Sequence, residues 1–162
     1  MSSGPALTDL SAAALLQAPY LAGMVRLVAA RRRSLRAADI PPIAPDALAA
    51  IPACAWEDLR VSLRPSVQVV ISPWPVLSLW NGRVPASGCP SNRGEEVLVV
   101  RCADSVAMHP LPPGGAAFVS ALRCGATFAD ARATARQVPG FEVIEVLALL
   151  FSTQSIARLE RA

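Results

Sequence analysis

Residues 56–80 read WEDLRVSLRPSVQVVISPWPVLSLW, and the fold class turns on this stretch. Val61, Leu63, Val67, Val69 and Ile71 alternate with Ser62, Arg64, Gln68 and Ser72. That period of two predicts strands with one buried face, interrupted at Pro65-Ser66 by a bend or bulge. Pro73 and Pro75 flank Trp74, which predicts a sharp change of direction before Val76 to Trp80. The whole reads as an aromatic-rich strand pair without any group arranged for catalysis, so it points to recognition rather than reaction. Tryptophan usually buries most of its surface, so Trp74 and Trp80 read first as core and second as contact anchors.

Downstream, residues 81–94 are loop by composition, and Glu96 to Cys102 is a further strand with Val97, Leu98, Val99 and Val100 in an apolar run. Asp104-Ser105 makes a hairpin turn into Val106 to Met108. If strand 96–102 lies at a sheet edge, an extended peptide can add to it by backbone hydrogen bonding. The last third is helical. Pro112-Pro113 opens a helix carrying Phe118, Ala121 and Leu122, with Gly125 just past its end. Thr127 and Asp130 form a capping box with Asp in place of Glu or Gln, starting a helix to about Gln137. After Pro139-Gly140, Phe141 to Thr153 repeats Phe141, Ile144, Leu147, Leu150 and Phe151 at helical spacing, and Ile156 to Leu159 closes the chain as a short strand.

Upstream, residues 1–9 read as a loose terminus and Leu10 to Gln17 as a short helix. From Tyr20 to Ala38, Leu21, Met24, Val25, Val28 and Leu35 follow a helical period, with Arg26, Arg33 and Arg36 elsewhere on the wheel. The triplet Arg31-Arg32-Arg33 reads as a solvated face or, more sharply, as a surface for an anionic partner. Asp39-Ile40-Pro41-Pro42 stops this helix, and a turn of helix covers Pro45 to Ile51. The Pro-rich residues 40–53 therefore separate an N-terminal helical arm, residues 1–39, from a C-terminal domain, residues 40–162.

Composition narrows the function classes. The 162 residues are 53% hydrophobic and 17% charged, enough to bury a core. The net charge of +3 is mild for a nucleic-acid binder. No apolar run reaches the ~18 residues of a spanning helix. The Leu10 to Val25 stretch has its arginines behind it, the reverse of a secretory signal, so a cytoplasmic protein without a membrane partner is expected. Cys54, Cys89, Cys102 and Cys124 contain no CxxC pair, and one histidine does not complete a zinc set; reduced, partly buried thiols are expected, with a disulfide or metal framework as the alternative.

No catalytic constellation stands out. His109, between Met108 and Pro110, has neither an orienting partner nor a nucleophile supplied by a motif. Glu95 and Glu96 are adjacent in a strand, so the pleat sends them to opposite faces and they do not converge as an acid/base dyad. Gly114-Gly115 lacks any phosphate-binding pattern around it. The expectation is no catalytic residue, no metal site and no cofactor in this chain. Helices 127–137 and 141–153, joined by a turn containing Gly140, are compatible with a helix-turn-helix or winged helix. The second helix, however, carries Glu142 and Glu145 and no arginine before Arg158, which sets it against phosphates; Arg123, Arg132 and Arg136 leave a modest basic patch.

Residues 46–80, DALAAIPACAWEDLRVSLRPSVQVVISPWPVLSLW, resemble the C-terminal part of the HvfC/BufC family, whose pattern runs approximately LaalppeaWaglrlrlhPsvrllrsrwPvlalW. Trp56, Leu59, Leu63, Pro65, Ser66, Val67, Trp74, Pro75, Val76 and Trp80 fit it, with Arg64 where histidine is frequent. EEVLVVRCADSVAMHPLP, residues 95–112, resembles the family's following strand pair through Arg101, with Cys102 replacing a common proline. GATFADARATA, residues 125–135, resembles its "G.tLaeA...A" helix. The likeness spans about residues 20–160. It departs at Val28 and Ala29, where a Glu-Trp pair is common, and the helical region before the shared part is shorter than the family's.

The resemblance implies a non-catalytic partner, or chaperone subunit, of a multinuclear-iron enzyme that oxidatively modifies cysteines in ribosomally made peptides. In that arrangement this chain forms a hetero-oligomer with the enzyme, helps recognise the leader of the precursor peptide, and leaves the iron in the enzyme. The fold expected is α+β: the helical arm, then a small antiparallel sheet packed with three C-terminal helices in a winged-helix-like arrangement. The expected peptide- or partner-binding residues are Arg64, Trp74, Glu96, Val97, Val99 and Arg101. The alternative is a winged-helix DNA-binding protein.

Overall fold

The expected strand pair separates into two sheets. In the computed structural model, which describes residues 19–44, 46–47, 50–52, 55–83 and 93–161, β1 (Leu59–Leu63) pairs antiparallel with β5 (Ile156–Arg161) at the end of the chain. β2 (Gln68–Ser72) instead pairs antiparallel with β3 (Glu95–Cys102), and β3 pairs with β4 (Ser105–Pro110). The chain crosses from one sheet to the other at Arg64–Val67, where the Val67 amide donates to the Arg64 carbonyl at 2.9 Å. Pro65 at this point has no amide hydrogen to give a ladder, which suits a crossing better than a continuous strand. The architecture is α+β, with a two-stranded and a three-stranded antiparallel sheet packed with helices.

The alternation read for β1 and β2 is present, but on β2 it is Gln68, Val70 and Ser72 that are buried while Val69 is half-buried and Ile71 exposed, the reverse of the expected face; β3 is covered on both faces. Val97, Leu98, Val99 and Val100 are all fully buried, and the pleat divides them. Val97 and Val99 join Val70, Val76 and Leu77 under α1 (Leu21–Arg36). Leu98 and Val100 join Val67, Phe118, Val119, Leu122, Val146 and Leu150 on the other side. That second cluster holds α3 (Gly115–Arg123), α4 (Phe128–Ala135) and α5 (Val143–Ser152). Phe118 meets Phe128 edge-on at a ring separation of 5.6 Å, and Trp56 meets Phe128 at the same separation.

The last part of the opening stretch, Val76–Trp80, is a five-residue helix, α2, rather than strand. Glu95 explains it. Its carboxylate accepts from the Leu77 amide at 2.7 Å, from the Ser78 amide at 3.1 Å and from the Ser78 hydroxyl, which satisfies amides a helix start leaves free. Glu96, on the opposite face of the strand, accepts from the Ala116 amide at 3.0 Å in the first turn of α3. Adjacent carboxylates thus serve two helices on two faces. Thr127 caps α4 as its sequence implies, accepting from the Asp130 amide at 3.2 Å.

Helix α1 presents a face that its hydrophobic pattern does not indicate. The buried residues are Gly23, Leu27, Ala30 and Ser34, while Val25 is 66% exposed. At 3.6 residues per turn this stripe lies roughly opposite the Leu21, Val25 and Val28 face. Close approach decides it: a Cβ on Gly23 would sit 2.6 Å from the Ser72 hydroxyl oxygen and 2.6 Å from Val76 Cγ1. Small residues let the helix backbone come down onto the sheet where a larger side chain would clash.

Residues 1–18, the Cys54 and Cys89 thiols and the loop 84–92 lie outside the described residues, so the expected terminus, the Leu10 to Gln17 helix and half of the cysteine reading are untouched. Residues 46–47 are helical, and the Ala50 amide donates to the Asp46 carbonyl at 3.1 Å, in the stretch read as a helical turn. No helix among the described residues is long and apolar enough to cross a membrane.

Candidate functional site

The six residues singled out by sequence divide by position. Arg64 leaves the end of β1 at the joint between the sheets and is 8% exposed. Its Nε donates to the Ile40 carbonyl at 2.8 Å, and its terminal nitrogens reach the Arg101 carbonyl, the Gln154 carbonyl and the Asp39 carboxylate at 3.4, 3.5 and 3.2 Å. Arg101, near the end of β3, donates to the Leu35 and Ala37 carbonyls at 3.1 and 3.0 Å, closing the C-terminus of α1. It also reaches Asp39 at 2.8 Å. Arg64 and Arg101 are therefore brought together through Asp39, and the chain between α1 and β1 is strapped to both sheets.

The other four do not join them, and for the two valines the structure corrects the reading as contact residues. Val97 and Val99 are fully buried beneath α1 and have no surface to offer. Glu96 spends its carboxylate on α3. Trp74 is half-buried beside Met24, Val106 and Met108, with its backbone amide donating to the Ser72 hydroxyl at 3.1 Å. Strand β3 lies between β2 and β4, so both of its edges are already paired and peptide addition to it is closed. A run buried on both faces belongs in a central strand, and the apolar run Val97 to Val100 was the signal for this.

The free edge lies one strand away. Among the described residues β2 pairs only with β3, leaving its outer edge without a strand neighbour. A groove of about 310 Å³ runs there, floored by Val69, Val70 and Ile71. Its walls carry Arg26 and Arg33 from α1 and Ser120 and Arg123 from α3. Ile71 is 55% exposed, and Arg33 Nε contacts the Gln68 side-chain oxygen at 3.4 Å. None of Arg26, Arg33 and Arg123 is in an ion pair among the described residues. The sequence offered Arg31-Arg32-Arg33 as a solvated face or, alternatively, as a surface for an anionic partner; of that triplet Arg33 alone lines the groove, where Arg26 and Arg123 join it because α1 and α3 sandwich β2.

An open edge supplies backbone donors and acceptors, and the flanking guanidiniums favour carboxylates. The arrangement suits an extended acidic segment lying alongside β2. His109 sits half-buried opposite Leu98, and Cys102 and Cys124 are exposed free thiols. No group of three or more metal-ligating side chains occurs among the described residues. The chain matches no protein-family model, no curated protein and no solved structure.

Proposed function

We propose that this chain is a non-catalytic recognition subunit that binds an extended, acidic segment of a precursor-peptide leader along the outer edge of β2 and presents it to a multinuclear-iron, peptide-modifying oxidative enzyme. The observation that carries the reading is the outer β2 edge, without a strand neighbour among the described residues, lying between Arg26, Arg33 and Arg123. Main-chain pairing supplies affinity that any extended peptide can use, and the arginines select acidic ones. The enzyme assignment rests on the HvfC/BufC-like pattern that includes Trp56, Pro65, Trp74 and Trp80. Within it, cofactor and chemistry belong to the enzyme, and the working unit is a cytoplasmic hetero-oligomer. A winged-helix-like relation is part of the same reading, with α4 and α5 separated by Gly140 and followed by β5.

The DNA-binding alternative draws little from the structure. In the recognition-helix position α5 exposes Glu142, Ile144 and Glu145, which repel or ignore phosphates. The test is co-purification with the iron enzyme and fluorescence anisotropy with the leader peptide encoded beside it. Binding that falls at least about tenfold in the Arg26→Glu/Arg33→Glu double variant supports the reading. Loss of neither enzyme nor leader binding in that variant sinks the β2 edge, and failure of the unaltered protein to bind either sinks the function. A steep salt dependence of duplex-DNA affinity, starting from tight binding at about 50 mM salt, would instead favour the alternative.

A further inference from the structure

The outward face of α5 is apolar where a surface helix ordinarily turns charge to solvent. Val146 and Leu150 are fully buried, yet on the other side Ile144 is 74% exposed, Phe151 is 37% exposed and Ala148 is exposed between them. The spacings of four and three place these three residues on one stripe. At its end Phe151 forms a wall of a groove of about 470 Å³, whose remaining lining includes Pro42, Ile43, Ala44, Leu150 and Ile156. Stripe and groove are continuous.

The rim along α5 is acidic on one side. Glu145, exposed three positions before Ala148, borders the stripe, and Glu142 is exposed one turn earlier. Neither carboxylate is in an ion pair among the described residues.

We infer that this surface docks a basic amphipathic helix of a partner protein. Its apolar side chains would lie along Ile144, Ala148 and Phe151 and enter the groove, while its Lys or Arg residues meet the rim. A second copy fits less well. The chain's own arginine-rich helix, α1, is committed to its sheet, with Leu27 and Ala30 fully buried, and α5 carries no basic side chain to meet Glu142 and Glu145 of a second copy. The inference uses a different surface from the β2 edge and stands or falls separately from it.

The test uses the full chain and a fluorescein-labelled peptide of roughly 16 residues, with Leu at helical spacing on one face and Lys on the other. Anisotropy should show saturable binding, weakened at least about tenfold by Ile144→Asp and likewise by Glu142→Lys/Glu145→Lys. A scrambled peptide of the same composition, lacking an apolar face, should bind at least about tenfold more weakly, as should a Leu/Glu counterpart. Ile144 is mostly exposed, so the melting curve of Ile144→Asp should match that of the unaltered protein. Equal binding of the scrambled peptide, unchanged binding by Ile144→Asp, or no binding at all overturns the inference. So does sedimentation showing a concentration-dependent dimer that Ile144→Asp abolishes, which would make the occupant a second copy.

Discussion

Replacing Arg64 by methionine separates a strap from a contact surface. Methionine keeps most of the unbranched stem and removes every donor, so the change reports on the guanidinium rather than on packing. Arg64 makes one well-formed bond, to the Ile40 carbonyl at 2.8 Å, and longer contacts of 3.4 and 3.5 Å to the Arg101 and Gln154 carbonyls. A bond from a charged donor contributes about 1.5–3 kcal/mol, and the longer contacts add less. The ion pair to Asp39 adds little, because the Asp39 side chain is 81% exposed and water screens it. The expected loss is therefore about 2–3 kcal/mol. With a midpoint shift of roughly 2–4 °C per kcal/mol for a chain of this size, melting should fall by about 4–12 °C. Urea unfolding followed by circular dichroism measures it. Asp39→Asn, which leaves both arginines their carbonyl acceptors, should cost about 1 kcal/mol or less. If Arg64→Met changes stability by under about 0.5 kcal/mol while weakening partner binding, the residue is a contact and the strap assignment is wrong.

Two other substitutions probe how the helices are seated. Gly23→Ala improves intrinsic helix propensity by about 1 kcal/mol, yet it places a methyl 2.6 Å from Ser72 and Val76, so thermal melting should show a net loss of about 1–2 kcal/mol; a rise in the midpoint would show that α1 does not pack closely on the sheet. Glu95→Ala removes the acceptor for two α2 amides and the Ser78 hydroxyl, and urea unfolding should register about 1–3 kcal/mol of destabilisation, against near zero for the exposed Glu160→Ala.

Elements whose signals are local were legible in the chain. Alternation marked β1 and β2, the Thr127–Asp130 pair marked the start of α4, and Gly125, with φ of 82°, marked the end of α3. The readings that failed all concern which partner a residue meets. Val76 to Trp80 looks extended until Glu95, distant in sequence, supplies the cap that makes it helical. Arg64 and Arg101 look like exposed guanidiniums until carbonyls from three separate segments surround them. Little of the candidate surface was legible: of the triplet Arg31-Arg32-Arg33 one member, Arg33, lines the groove, Arg26 lies outside the triplet, and Arg123 comes from a helix on the opposite side of the sheet.

By itself, then, the sequence determines an α+β chain with five strands' worth of alternating or apolar runs, helices bounded by their own prolines, glycines and caps, and an apolar content sufficient for a core. Those properties depend on dihedral preferences and on neighbours within a few residues. Tertiary structure alone decided that β1 and β2 part company, that α1 packs through Gly23, Leu27, Ala30 and Ser34, and that the outer edge of β2 has no strand neighbour among the described residues. Strand pairing and close helix–sheet approach are set by the whole shape that has to be filled. Small residues with little hydrophobicity of their own settle it where backbones touch, and no local pattern records that contact.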